Sequence, residues 1–79
     1  MQPVLVIWKD AYEADDSVWV ERGETPDKLE ACLVHQVGYL VSADEHRVVL
    51  TSCYTEDKTG RRFVIPRGMV VSMVNIQPA

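Results

Sequence analysis

The sequence lacks any apolar run approaching the ~20 residues that a membrane-spanning helix requires. Its apolar stretches have the length of strands, and the first acid already stands at Asp10. No basic segment opens the chain, so its start does not look like a secretory signal. From these absences we expect a cytoplasmic protein that has no membrane partner.

Histidine and cysteine are scarce, with two of each, and neither cysteine belongs to a CxxC pair. Cys32 and His35 have a spacing that resembles that of metal ligands, but on a strand they would point to opposite faces. His46 and Cys53 lie further along the chain. We therefore expect no metal and no cofactor. The two thiols are expected to be half-buried on strands, and they could form a disulfide only if those strands were adjacent.

Motifs of the common catalytic sites are also missing, because the chain has no GxGxxG, no P-loop and no HExxH. Cys53, on the segment after His46, is the nearest candidate for a nucleophile, yet nothing around it resembles a nucleophile elbow or an oxyanion loop. Adjacent acids such as Asp44 and Glu45 fall in polar segments, where solvated turn acids are common. The sequence therefore predicts a protein that is not an enzyme.

What is present is an ordinary globular composition, with 47% hydrophobic and 25% charged residues. A chain of 79 residues has room for one modest core, so residues 1–79 are predicted to form a single domain. Valine recurs in almost every apolar segment, and β-branched residues favour strands. Trp8 ends one such segment and is expected in the core. The composition predicts an all-β fold.

The net charge of −4 is unevenly distributed. Residues 1–30 hold eight acids against three bases, whereas residues 31–79 hold four acids against five bases. An acidic chain repels phosphate at long range, so nucleic acid is not the first partner to expect. A basic group in the second part is the local exception; its members are Lys58, Arg61, Arg62 and Arg67.

Apolar segments and polar turns alternate along the chain. Strands are predicted over residues 3–8, 33–43, 47–54, 61–65 and 69–76, and residues 18–22 are predicted to be a short strand or a strand edge. Polar turns at 44–46 and 55–60 join the later strands, and Gly60 is able to take positive φ. A short helix is predicted to begin near Thr25, with Pro26 at its first position. Short connections between successive strands predict an antiparallel meander.

Pro66, Arg67 and Gly68 interrupt the last apolar run. Proline cannot donate a hydrogen bond to a sheet, and glycine weakens a strand interior. These residues therefore predict a corner, a tight turn or a single 3₁₀ turn, where the chain crosses from one side of the sheet to the other. Five strands with such a corner before the last one predict a small SH3-like or Sm-like barrel of about five antiparallel strands with one short helix.

The second half of the chain resembles the Sm-like proteins, which include the bacterial Sm-like RNA chaperone. The segment VGYLVSADEHRVVL has the glycine, apolar residue, turn aspartate and apolar strand of their first motif, at Gly38, Leu40, Asp44 and Leu50. The segment IPRGMVVSMVNI is similar to their second motif, a corner followed by an apolar strand. This resemblance implies a barrel and, beyond it, assembly into rings.

Two features depart from the Sm-like pattern. Those proteins usually begin with a helix, whereas this chain begins with an apparent strand at 3–8. The position at which many of them have a polar residue that contacts RNA is Val48 or Val49 here. The resemblance therefore implies a barrel more than it implies RNA binding.

The layout also resembles that of small uncharacterised proteins of phages and mobile elements. The shared segments are W-x-D-A at residues 8–11, VG[WY]LV at 37–41, VVL at 48–50 and IP[RK]G at 65–68. This resemblance implies a mobile-element origin and no particular activity.

Five residues are predicted to contact a partner. Tyr12 and Trp19 are aromatic residues within the acidic third, and Arg61, Arg62 and Arg67 belong to the basic group. The leading hypothesis is a non-enzymatic module that binds a protein and can form a homo-oligomer, in which the acidic part of one copy meets the basic group of the next. The alternative is an Sm-like oligomer that binds RNA or a small nucleotide through the basic group.

Overall fold

The computed structural model describes residues 1–10, 21–23 and 32–77. These residues form five β-strands and one 3₁₀ turn: β1 Pro3–Asp10, β2 Cys32–Ala43, β3 Arg47–Tyr54, β4 Thr59–Pro66, the turn Arg67–Met69, and β5 Val70–Asn75. None of these elements is a helix long and apolar enough to cross a membrane.

The prediction of an all-β fold is confirmed for this part of the chain. The predicted strands at 3–8, 33–43, 47–54, 61–65 and 69–76 correspond to β1 to β5, with ends that differ by at most two residues. The turns after β2 and β3 also lie where polar residues predicted them. The short helix predicted from Thr25 and most of the predicted strand 18–22 lie outside the described residues.

The five strands form one sheet in the order β4-β3-β2-β1-β5, and every neighbouring pair is antiparallel. The last strand therefore pairs with the first, not with the strand that precedes it. β4 and β5 are the two edges and do not pair with each other, so the sheet is open.

The core lies on one face of this sheet, which curls around it. Its members are Val4, Val6, Trp8, Val48, Leu50 and Ile65, none more than 8% exposed. They come from β1, β3 and β4, and β2 separates β1 from the other two, so the face must be concave for them to meet. Two register shifts, between Ile7 and Trp8 and between Leu40 and Ser42, supply bulges of the kind that bend a strand. The expectation that Trp8 is in the core is confirmed.

The opposite face carries apolar side chains that remain exposed. Val37, Leu5 and Val74 stand side by side on β2, β1 and β5, because Leu5 is the register partner of both valines. Val37 is 67% and Val74 52% exposed. Cys32 and Cys53 are also exposed free thiols, so the expectation that they are half-buried was wrong.

The predicted corner is present as the 3₁₀ turn Arg67–Met69. The Arg67 N–H donates to the His46 carbonyl (2.9 Å), and Met69 packs against the core. Neither Gly60 nor Gly68 has positive φ. A Cβ on Gly68 would meet nothing within 4 Å, so the bend comes from the proline and the 3₁₀ turn.

Candidate binding cleft

A cleft opens where β2 and β3 stop pairing and diverge. β2 pairs with β1 from Cys32 to Tyr39, but it pairs with β3 only from Tyr39 to Ala43. Beyond the pair Tyr39–Thr51, β3 continues beside β4 while β2 continues beside β1. The β1–β2 pair and the β3–β4 pair therefore diverge and leave a gap within the sheet.

Gly38 stands at the point of divergence, where the two strands are closest. A Cβ on this residue would lie 3.2 Å from the Leu50 Cβ and 3.3 Å from the Thr51 carbonyl oxygen. Glycine is needed here for this close approach, because a side chain would push β3 away from β2. The close contact sets the inner end of the cleft.

The cleft has a volume of about 190 Å³. Residues from three strands line it: Gln36, Val37, Gly38, Leu50, Thr51, Ser52, Arg61, Arg62 and Phe63. Two of these side chains are cationic and none is acidic. Within the described part of the chain, the cleft is therefore a positively charged site with apolar walls.

Both arginines line the cleft because the backbone of β4 is irregular. Arg61 has φ 49°, in the left-handed region that residues with a Cβ rarely adopt. The register between β3 and β4 contains no pair between Ser52 and Arg61. On a regular strand, Arg61 and Arg62 would point to opposite faces. The left-handed residue interrupts this alternation, and both arginines border the cleft. Arg62 also borders the neighbouring depression that Thr59 lines.

The Thr51 side chain holds the irregular backbone of β4 through its hydroxyl group. It is 1% exposed, and its hydroxyl lies 2.8 Å from the Cys53 carbonyl oxygen and also within reach of the Gly60 carbonyl oxygen. A buried hydroxyl needs such a partner to avoid a desolvation cost. The Gly60 carbonyl belongs to the peptide that leads into Arg61. Thr51 thus ties the left-handed turn of β4 to β3.

Two aromatic side chains near the cleft, one on β1 and one on β4, pack against each other. The rings of Trp8 and Phe63 lie 5.7 Å apart between centroids, and the Trp8 indole N–H donates to Gln36 Oε1 (3.1 Å). Trp8 is buried, whereas Phe63 is 42% exposed. Gln36 and Phe63 both line the cleft. The cleft therefore has a Gln36 side chain held by Trp8 on the β2 side and an accessible aromatic ring on the β4 side.

Main-chain groups of β2 face this gap. The Leu40 N–H donates to the Gln2 carbonyl oxygen, so the even-numbered residues of β2 are those hydrogen-bonded to β1. Antiparallel strands direct the groups of alternate residues to opposite sides. The N–H and C=O groups of Leu33, His35 and Val37 consequently point away from β1, toward the side on which β3 has diverged. No strand among the described residues pairs with them.

Among the described residues, no acid forms an ion pair with the arginines of the cleft. The one ion pair within residues 1–10, 21–23 and 32–77 joins Glu45 and His46, both highly exposed. Arg62 Nε donates to Thr59 Oγ1 (2.8 Å), a neutral partner. Two cations close together without acids favour an anionic ligand.

A second, larger depression lies beside the β3–β4 turn. It measures about 660 Å³ and is lined by acids and bases together, among them Glu56, Asp57, Lys58 and Arg62. Tyr54 also lines it, and its ring packs edge-on against Tyr39 with centroids 4.9 Å apart. Its opposite charges compensate each other in solvent, so it is a weaker candidate for a charged ligand than the cleft.

The structure brings together only part of the predicted site. Arg61 and Arg62 share the cleft. Arg67 lies past the opposite end of β4, beside the β2–β3 turn, so it does not belong to the same surface. Tyr12 and Trp19 lie outside the described residues. The roles of all five as contact residues stay predictions.

Sequence reasoning missed the residues that shape the cleft: Gln36, Gly38, Leu50, Thr51 and Phe63. The adjacent arginines followed by phenylalanine were a usable signal, because a basic pair beside an aromatic residue often marks a binding surface. The divergence of β2 and β3 had no such signal, since it depends on pairing between distant segments.

Within the described ranges, no three residues among the histidines, cysteines, aspartates and glutamates group closely enough to hold a metal ion. Comparison of the chain with protein-family models, with curated proteins and with solved structures finds no match.

Proposed function

We propose that this protein is a non-enzymatic interaction module that binds an acidic segment of a protein partner in the cleft between β2 and β4. The observation that carries the proposal is the pair Arg61 and Arg62, which border one cleft next to left-handed backbone, with no acid among the described residues that line it. Strained backbone tends to be retained at functional sites. The exposed Phe63 adds an apolar contact beside the charges.

The proposal includes a finer description of the fold, a small SH3-like or Sm-like barrel. Its support is the curled sheet around one core, the two bulges, and the 3₁₀ corner before a last strand that returns to β1. A cytoplasmic location and a phage or mobile-element origin stay predictions from the sequence.

Selection of binders from a library of short random peptides tests the function. We expect the enriched peptides to be acidic and to bind the Arg61→Ala/Arg62→Ala variant at least about tenfold more weakly, since hydrogen bonds to charged groups contribute roughly 1.5–3 kcal/mol each. The matched control is Lys58→Ala/Arg67→Ala, which removes two charges outside the cleft and should bind like the wild type. Enrichment of no peptide, or equal binding by both double variants, would contradict the proposal.

A second candidate is an Sm-like oligomer that binds RNA or a small nucleotide. Phe63 beside two arginines favours it, because single-stranded nucleic acids combine stacking on aromatic rings with contacts to basic side chains. Fluorescence anisotropy with a labelled single-stranded oligonucleotide decides between the two. Binding that weakens steeply with salt and disappears in Arg61→Ala/Arg62→Ala would support the nucleic-acid function, whereas no binding at low salt would remove it.

A further inference from the structure

We infer that the acidic partner binds as an added β-strand along the edge of β2 formed by Leu33, His35 and Val37. This inference rests on the proposed function and gives the partner a conformation and a position. Main-chain groups of these residues point toward the diverged side of the sheet, where no strand of residues 1–10, 21–23 or 32–77 pairs with them. An exposed edge of this kind is the template that peptides use when they extend a sheet.

The edge of β2 differs from the facing edge of β3. The Cys53 carbonyl lies on β3 close to the divergence, and the Thr51 hydroxyl already contacts it at 2.8 Å. His35 and Val37 have no side-chain cap among the described hydrogen bonds, and the Leu33 carbonyl has only a long contact from the Cys32 thiol (4.0 Å). All three residues are exposed. An incoming strand would therefore pair with β2 and present its other edge to the β3–β4 hairpin.

Side chains around this edge select the chemistry of the added strand. Arg61 and Arg62 stand across the cleft from Gln36 and Val37, so acidic side chains of the strand would meet cations there. Phe63 stands on the β4 side of the cleft, is 42% exposed, and offers a contact to apolar side chains. Side chains alternate between the two faces of a strand, which favours a segment in which acidic and β-branched residues alternate.

Amide hydrogen exchange measured by NMR tests the pairing at single residues. The probe is a peptide of alternating valine and glutamate, with both ends capped. We expect it to slow exchange at the N–H groups of Leu33, His35 and Val37 at least tenfold. The N–H groups of Val34 and Gln36 are the internal control, because they are hydrogen-bonded to β1 with or without the peptide.

Two variants of Val37 separate the main-chain contact from the side-chain contact. Val37→Pro removes an N–H that faces the gap, a position at which a strand tolerates proline, and should abolish binding while the protein remains folded. Val37→Ala keeps the N–H and should bind within about fivefold of the wild type, since it removes only two methyl groups from a side chain that is 67% exposed. Equal affinity of both variants would overturn the inference.

Three further results would each overturn a different part of the inference. Binding that perturbs Arg61 and Arg62 without protecting the three edge amides would overturn strand addition and leave the proposed function standing. Equal binding of a valine–lysine peptide would overturn the preference for acids. Protection that grows with protein concentration in the absence of peptide would mean that a second copy occupies the edge, and would overturn the assignment of a separate partner.

Discussion

At the scale of single residues, Arg61 is the most informative position in the molecule. Its φ of 49° is a conformation that glycine adopts freely and other residues adopt at a cost of roughly 1–2 kcal/mol. The neighbouring residue, Gly60, could adopt positive φ at little cost, but it does not. Gly60 is needed for a different reason, since a Cβ there would lie 2.8 Å from the Cys53 Sγ.

Replacement of each arginine by glycine tests this strain. Arg61→Gly relieves the left-handed conformation, whereas Arg62→Gly places glycine in a strand where it costs about 0.5–1 kcal/mol. We expect the free energy of unfolding of Arg61→Gly to exceed that of Arg62→Gly by about 1–2 kcal/mol, as measured by chemical denaturation. Each variant loses one positive charge, so each is the control for the other. If Arg61→Gly proves the less stable, the backbone of β4 is not strained at this residue.

The position of this strain could not be predicted from the sequence. Glycines at 60 and 68 are the residues for which local rules expect positive φ. The left-handed residue is Arg61 instead. Its position depends on Thr51, which is nine residues from Gly60 in sequence and whose hydroxyl contacts the Gly60 carbonyl from the neighbouring strand. Local patterns do not report which distant hydroxyl faces which carbonyl.

At the scale of elements, the β2–β3 hairpin depends on Asp44. Its carboxylate Oδ1 accepts the N–H groups of His46 (2.8 Å) and Arg47 (2.9 Å). These backbone hydrogen bonds, the one from His46 first, lower the pKa of Asp44 below its ordinary value of 3.8. The turn therefore favours the ionised carboxylate, as expected when charge-assisted hydrogen bonds form to it.

A lowered pKa in the folded state makes the contribution of Asp44 dependent on pH. The stabilisation is present above pH 3.8 and is lost as the pH falls through the lower pKa of the folded protein. We expect the difference in unfolding midpoint between wild type and Asp44→Asn to be largest near neutral pH and to shrink below pH 3.8. Urea titrations at several pH values measure it. Glu45→Gln, which alters the adjacent exposed acid, serves as the control, and a difference for Asp44→Asn that does not vary with pH would refute the expectation.

The elements themselves were predictable, whereas their arrangement was only partly so. Valine-rich segments, the turn at Asp44 and the corner at Pro66 are local signals, and the structure has an element at each of them. The sequence analysis grouped Arg67 with Arg61 because the two residues are only six positions apart in the chain. The rest of β4 lies between them, however, and an extended strand rises about 3.3 Å per residue, so Arg61 and Arg67 stand near opposite ends of β4.

At the scale of the whole molecule, the open sheet leaves two strands available for association. β4 and β5 are unpaired on their outer sides within the described part of the chain, and β5 exposes Val71 and Val74. Exposed apolar edges are where copies of a chain pair. This arrangement gives the predicted homo-oligomer a physical basis that is separate from the cleft.

Light scattering across a range of salt and protein concentration tests the association. We expect a native mass above the 8.9 kDa of one chain, which returns to one chain in Val71→Lys because a lysine on an edge strand opposes pairing. Val37→Lys, which adds the same charge on β2, should leave the assembly intact. Loosening by salt would indicate the contact between the acidic and basic parts of neighbouring copies. A single-chain mass under all conditions would exclude self-association.

The contact between Trp8 and Phe63 has an optical consequence. Trp8 is one of two tryptophans, and its indole ring touches two side chains that line the cleft, Gln36 by a hydrogen bond and Phe63 by ring packing. In a Trp19→Phe background, fluorescence would come from this indole alone. Anything that enters the cleft and moves Phe63 or Gln36 must alter the polarity around the emitting ring. The protein therefore has a built-in, label-free reporter of whether its cleft is filled.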